Sequence, residues 1–190
     1  MAQIPILFIL GPSGAGKTTL GDQLAQHGVL HINFDRPDCN GVDRERLRKE
    51  WNAFLDDRNP QPLADAIRQR MQSSGAKGAS ITCPSGIVPS TAAGANGCEL
   101  SRAYLSQMRT VGFHTIILHG TRDDCLAAFQ CREAGTGRGL GQDWWDANNA
   151  YWQYMFQPTD FAGEVLSAFS SGQHRPLAEL VAQIQTKLGM

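Results

Sequence analysis

Residues 11–19 read GPSGAGKTT and follow directly on the apolar run IPILFIL, residues 4–10. The stretch GPSGAGKT matches G-x-x-x-x-G-K-[ST] in full, a pattern whose chemistry is the holding of a nucleotide's phosphates. Those phosphates carry several negative charges. A loop that binds them must turn successive backbone N–H groups inward, where side chains would obstruct. Gly11, Gly14 and Gly16 meet that demand, with small Ser13 and Ala15 between them. The expected phosphate contacts are Gly11, Pro12, Ser13, Gly14, Ala15, Gly16, Lys17, Thr18 and Thr19. Lys17 is expected to reach the β and γ phosphates, the Thr18 hydroxyl to coordinate Mg²⁺, and the helix that follows to add the positive end of its dipole.

Such a loop works only between a strand and a helix, and the flanking pattern supplies both. Five apolar runs read as strands: residues 4–10, 30–34, 79–83, 114–120 and 164–170. They are near-continuous rather than alternating, as in a parallel sheet covered on both faces. Helical patterns lie between them, over about residues 16–27, 44–57, 62–73 and 98–110. Another opens at Thr121, with Asp124 three residues on as in a capping box. The last carries Leu177, Leu180, Val181, Ile184 and Leu188 on one stripe. Strands alternating with helices imply right-handed βαβ units. No repeat or low-complexity linker divides the chain, so residues 1–190 read as one α/β domain.

The composition excludes several classes. The chain has 190 residues, a net charge of −1 and 42% hydrophobic residues, so it lacks the basic excess of a nucleic-acid or membrane-surface binder. No apolar run approaches the roughly 18–20 residues of a membrane span. The apolar start lacks a basic leader and flows into a loop that signal cleavage would destroy, which points to a cytoplasmic protein. The five cysteines form no CxxC pair and read as reduced thiols packed as small apolar groups.

The N-K-x-D signature of regulatory GTPases is missing, which favours ATP. The third strand ends ITCPSG, without the carboxylate that motor and AAA-type ATPases carry there. The layout resembles the small kinases grouped around shikimate kinase, gluconate kinase and adenylate kinase. The phosphate loop is the one strong motif; element order and spacing carry the rest, over most of the chain. The resemblance implies a three-layer P-loop fold with a five-stranded parallel sheet in the order 2-3-1-4-5. It implies an acceptor-binding insertion over about residues 36–75 and a short lid over about residues 133–145.

It also implies roles for particular residues. HINFDRPD ends the second strand, where shikimate kinases have an Asp-x-Asp pair. Asp35 matches the second aspartate, which would orient the acceptor hydroxyl and accept its proton. Asn33 stands where the first serves the Mg²⁺ water shell. In CREAGTGRGLGQDWW, Arg132 is placed to stack on adenine and Arg138 to close over the phosphates, with glycines at 135, 137, 139 and 141 as hinges. Arg138 would stabilise charge on the transferring phosphoryl group. SSGQHRP matches the loop that passes over the base, making Gln173, His174 and Arg175 adenine contacts.

The acceptor side is less defined. Ser85 and Gly86 follow the carboxyl end of the third strand, and such ends face the ligand crevice. Arg36, next to Asp35, is the best placed cation for an anionic acceptor, and Arg58 is second. Most of the mixed charge over residues 36–58 reads as a solvated helix face. In DWWDANNAYWQYMF, residues Trp144, Asn148, Tyr151, Trp152, Met155 and Phe156 share one helical face. That face packs in the core, or a tryptophan at 144 or 145 caps the acceptor; Asn148 there would need a hydrogen-bond partner. No arginine matches the one that holds the carboxylate of shikimate. The expectation is a phosphotransferase that uses ATP and Mg²⁺ on a small-molecule hydroxyl, as a monomer or weak dimer. A nucleotide kinase, and a nucleotide-binding switch or accessory ATPase, are the alternatives.

Overall fold

Ile6–Leu10 forms strand β1, and its side chains divide between two cores. Ile6, Phe8 and Leu10 face one, Leu7 and Ile9 the other, and all are at most 1% exposed. A strand buried on both faces reads as an unbroken apolar run, which is why IPILFIL carries no alternation. The computed structural model describes residues 5–34, 44–82, 95–149 and 164–188.

The remaining elements follow in chain order. They are α1 (Lys17–Gln26), β2 (Val29–Asn33), α2 (Arg44–Asp57), α3 (Gln61–Ser74), β3 (Gly78–Thr82), α4 (Ala95–Thr110) and β4 (Phe113–His119). Then come α5 (Arg122–Ala134), α6 (Gln142–Asn149), β5 (Glu164–Ser167), β6 (Phe169–Ser170), β7 (Gln173–His174) and α7 (Leu177–Leu188). The main sheet has the order β2-β3-β1-β4-β5, parallel throughout, as expected. Its register pairs Phe8 with Ile81 on one side and with Thr115 on the other.

Helices α2, α3 and α4 cover one face. Trp51 of α2 packs between Phe8 and Phe34, at ring separations of 5.6 and 5.4 Å, and Phe54 meets Tyr104 edge-on at 5.2 Å. The Tyr104 hydroxyl donates to the Leu55 carbonyl, which ties α4 to α2. Truncating a buried aromatic here, Phe54→Ala for instance, removes about 3–5 kcal/mol. Helices α1, α5, α6 and α7 contribute to the second core, with Leu20, Leu24, Phe129, Trp145 and Ile184 among its members. Thr121 caps α5 as expected, its hydroxyl accepting from the Asp124 N–H at 3.1 Å.

Between α1 and the sheet lies a polar link. His31, 2% exposed, has Nδ1 at 2.9 Å from Asp22 Oδ1 and Nε2 at 3.0 Å from the Thr82 hydroxyl. With Asp22 ionised, Nδ1 donates to it and Nε2 accepts from Thr82. The ring fits because residue 21 is glycine: a Cβ there would stand 2.3 Å from His31 Nε2.

The fifth apolar run corrects one expectation. Residues 164–170 are not one strand covered on both faces. The run breaks at Ala168, whose N–H donates to the His119 carbonyl at 2.7 Å. Upstream, β5 is an edge strand of which only Leu166 is buried. Downstream, β6 turns into a hairpin with β7 through Ser171 and Gly172, both at positive φ, as a two-residue hairpin turn requires.

Candidate active site

The loop between β1 and α1 is held in its shape by lack of space. Gly14 has φ +94°, and a Cβ there would lie 2.1 Å from the Cys125 carbonyl oxygen. No other residue fits that position without moving α5. Gly16 caps α1 with no side-chain hydrogen bond, and the first turn of α1 contains no acidic residue. The N–H groups and dipole of a helix start favour an anion, and no acidic side chain of the first turn competes for that place. Lys17 is 8% exposed, and its Nζ donates to the carbonyls of Gly11 (2.8 Å) and Pro12 (3.1 Å). This buried cation stands among N–H groups at a helix start, an environment that fits nucleotide phosphates. Thr18 lies one residue on, and Asn33 Nδ2 donates to its hydroxyl at 3.3 Å.

A cleft of about 660 Å³ opens over this loop. Ser13, Gly14, Gly16, Lys17, Thr18, Thr19 and Asn33 line its polar end, while Ala128, Leu140 and Trp144 give it an apolar flank. Arg132, Arg138 and His174 also line it. Trp144 stacks on Phe129 with ring planes 4° apart, and Arg132 lies over the same ring at 5.2 Å.

The two cleft arginines share a partner that sequence reasoning missed. Glu133, 5% exposed, accepts from Arg138 Nε at 2.9 Å, from Arg132 Nε at 3.0 Å and from the Thr136 hydroxyl at 3.0 Å. Burial works against its ionisation, but the hydrogen bonds from Arg138, Thr136 and Arg132 outweigh it and hold the carboxyl below its usual range. The signal was present: a lone carboxylate directly after one of the two arginines.

A second set of contacts joins the loop to α6. Trp145 and Asn149 are 5% and 3% exposed, and both bond to Ser13. The expected inward face is thus turned by one residue: Trp145 and Asn149 point in, while Trp144 is 38% exposed and Asn148 donates to the Trp144 carbonyl. Residues 150–163, including Tyr151, Trp152, Met155 and Phe156, lie outside the described residues.

The other expected site residues fall as follows. Arg175 does not line the cleft; its guanidinium is engaged by the Ser167 carbonyl, Gln183 and Glu179, and His174 faces the loop in its stead. His174 stacks on Phe169 at 4.2 Å, and its Cε1 lies 3.5 Å from where a Gly16 Cβ would be. Arg58 is exposed at the end of α2, with φ +56°, and does not line the cleft. Asp35, Arg36, Ser85 and Gly86 lie outside the described residues. Cys125 is buried behind the loop, its thiol pushed up to about 12 by burial, so it behaves as an apolar filler. Among the described residues, no cluster of His, Cys, Asp or Glu could hold a metal ion by itself, and no helix is long and apolar enough to cross a membrane.

No family model matches the chain. Shikimate kinases of Haemophilus influenzae strains PittEE and PittGG are 35% identical to it over 106 residues, 56% of this chain and 53% of theirs. The match therefore spans about half the length of those relatives. A gluconokinase from Sinorhizobium meliloti 1021 superposes with a TM-score of 0.51, at 19% identity over 98% of this chain and 92% of that one. A shikimate kinase from Bacteroides thetaiotaomicron superposes at 0.50, with 16% identity over 97% and 98% of the two chains. A sugar kinase from Janibacter sp. HTCC2649 also reaches 0.50, with 17% identity over 98% and 95%. The chain thus shares its fold with these gluconokinase and shikimate kinase structures, and its sheet has the order expected from the sequence.

Proposed function

We propose that this chain is an ATP-dependent phosphotransferase that moves the γ-phosphoryl group of Mg-ATP to a hydroxyl of a small polyhydroxylated molecule. The observation that carries this reading is the convergence of Lys17, Arg132 and Arg138 with the start of α1 on one cleft. That is a concentration of positive charge beyond what a structural loop needs. The sequence likeness to shikimate kinases supports the same reading.

Mg-ATP supplies the phosphoryl group and a cation that offsets its charge. The protein's part is positioning and charge stabilisation. The N–H groups of residues 14–19 and Lys17 hold the phosphates. Thr18 would hold Mg²⁺, with Asn33 fixing the direction of its hydroxyl. Arg138 leaves Glu133 for the phosphoryl oxygens, while Arg132 and Trp144 flank the base. Asp35 orients the acceptor hydroxyl and takes its proton, with Arg36, Ser85 and Gly86 beside it. Arg58 and Arg175 have no part in this scheme.

A nucleotide-binding switch without an acceptor is the second reading. It draws on Asn33, which puts a neutral amide rather than a carboxylate against Thr18.

The deciding experiment measures ADP release from Mg-ATP against a panel of sugar acids, polyols, cyclic hydroxy acids and nucleoside monophosphates, with Lys17→Ala as the blank. One acceptor class should raise turnover well above the acceptor-free rate, and Lys17→Ala should lower it by about 100-fold or more. ATP binding with no acceptor-dependent turnover would overturn the phosphotransferase reading in favour of the switch.

A further inference from the structure

Ser13 occupies the outer bend of the phosphate loop, 7% exposed, and its backbone polar groups bond to side chains. Both are satisfied from α6. The Ser13 N–H donates to Asn149 Oδ1 at 2.8 Å, and the Ser13 carbonyl accepts from Trp145 Nε1 at 2.8 Å. Asn149 Nδ2 donates in turn to the Trp145 carbonyl at 2.7 Å. This third bond settles the orientation of the amide, so that its oxygen faces Ser13. Helix α6 is itself held from outside: Arg122 donates to both carboxylate oxygens of Asp146, at 2.6 and 2.8 Å, and lies over the Trp145 ring at 5.7 Å.

We infer that Trp145 and Asn149 are positioning residues that clasp the Ser13 peptide and so set the affinity of the phosphate loop for nucleotide from the far end of the lid. Plain packing does not require this arrangement. An apolar residue at 145 or 149 would fill the same space, but it would leave a buried N–H or carbonyl unpaired. Peptide planes are linked in series, so the tilt of Ser13 is passed to Gly14 and on to the N–H groups that meet the ligand. Because α6 begins at the end of the glycine-rich stretch 135–141, any movement of the lid that displaces α6 also displaces Ser13. Nucleotide and lid position are then linked reciprocally.

The inference rests on the nucleotide reading of the cleft, and its test separates the two. ADP is titrated calorimetrically, well below the melting temperature, into wild type, Lys17→Ala, Trp145→Phe and Asn149→Leu. Amide exchange of residues 11–19 is followed without nucleotide. Trp145→Phe and Asn149→Leu should each weaken ADP by about tenfold, the effect of one lost hydrogen bond. Exchange at Ser13 should quicken most in Asn149→Leu. Arg122→Gln leaves the clasp in place and loosens only its outer support. It should weaken ADP in the same direction by about threefold, which keeps the test open if the buried variants fail to fold. Unchanged ADP affinity in variants whose Ser13 amide has lost its protection would overturn the inference. If wild type binds ADP no better than Lys17→Ala, the nucleotide reading fails. The exchange at Ser13 then decides alone: quickening keeps the clasp as a determinant of loop shape, and wild-type exchange rejects it.

Discussion

Two stretches of this chain are dense in glycine, and they are glycine-rich for opposite reasons. In the phosphate loop, residues 11–16, Gly11 and Gly14 are there because nothing else fits: a Cβ at Gly11 would lie 2.7 Å from the Leu118 carbonyl oxygen, and one at Gly14 2.1 Å from that of Cys125. In residues 135–141, the corresponding atoms at 137, 139 and 141 would meet nothing within 4 Å. The first stretch is glycine-rich to be rigid and crowded, the second to be open. One compositional signal thus covers a crowded cradle and an open stretch, and only the neighbouring backbone distinguishes them.

The sharpest way to break the contrast is to add one methyl to each. Gly14→Ala should cost about 3 kcal/mol or more, since it combines a left-handed backbone with a clash against α5. Thermal melting should show a large loss of stability, and ADP titration no measurable binding. Should Gly14→Ala melt like wild type, the crowded-cradle account is wrong.

The next largest effect concerns the carboxylate under Arg132 and Arg138. The carboxyl of Glu133 is below its usual value of 4.5 in the folded protein. Its hold on Arg132 and Arg138 is therefore fully present above that value and lost as pH falls through the lower folded one. The Arg138 Nε–H resonance should move toward that of a free guanidinium as the pH drops through this window. In Glu133→Gln it should sit near that position at every pH. A resonance indifferent both to pH and to the substitution would mean that Arg138 is held by something else.

Gly139→Ala should cost only about 1 kcal/mol, the strain of a left-handed alanine at φ +68° with free space around it. ADP affinity should stay within about twofold of wild type, while lid opening, read from amide exchange over residues 135–141, should slow. The smallest effect is expected in the hairpin, where Ser171 has φ +52°. Ser171→Asn should raise stability by about 0.5 kcal/mol, because asparagine tolerates the turn better.

Much of the frame could be read from residues alone, since the signals were local. The phosphate loop is a contiguous motif in its required context, and β1 to β4 begin within two residues of the expected positions. What escaped was set by tertiary contacts. Both Trp144 and Trp145 are large and apolar, so helical periodicity alone could not say which faces inward. The bonds to Ser13, more than 130 residues away, decide it for Trp145 and Asn149. Glu133 escapes a reading by residue type because a carboxylate beside an arginine reads as surface, yet it is buried under the two arginines it binds. The break at Ala168 depends on a bond to His119 across the sheet, which no window of sequence around it contains.

The fit of His31 into the space beside Gly21 has a consequence for how this sequence can change over evolutionary time. The two positions share one volume, so they cannot drift independently. An alanine at 21 is admissible only after residue 31 has become smaller, and the imidazole can return only after the methyl has gone. Substitutions at this pair should therefore occur in a fixed order. A chimera that takes α1 from one homologue and β2 from another should fold or fail according to whether it brings together a side chain at 21 and a ring at 31.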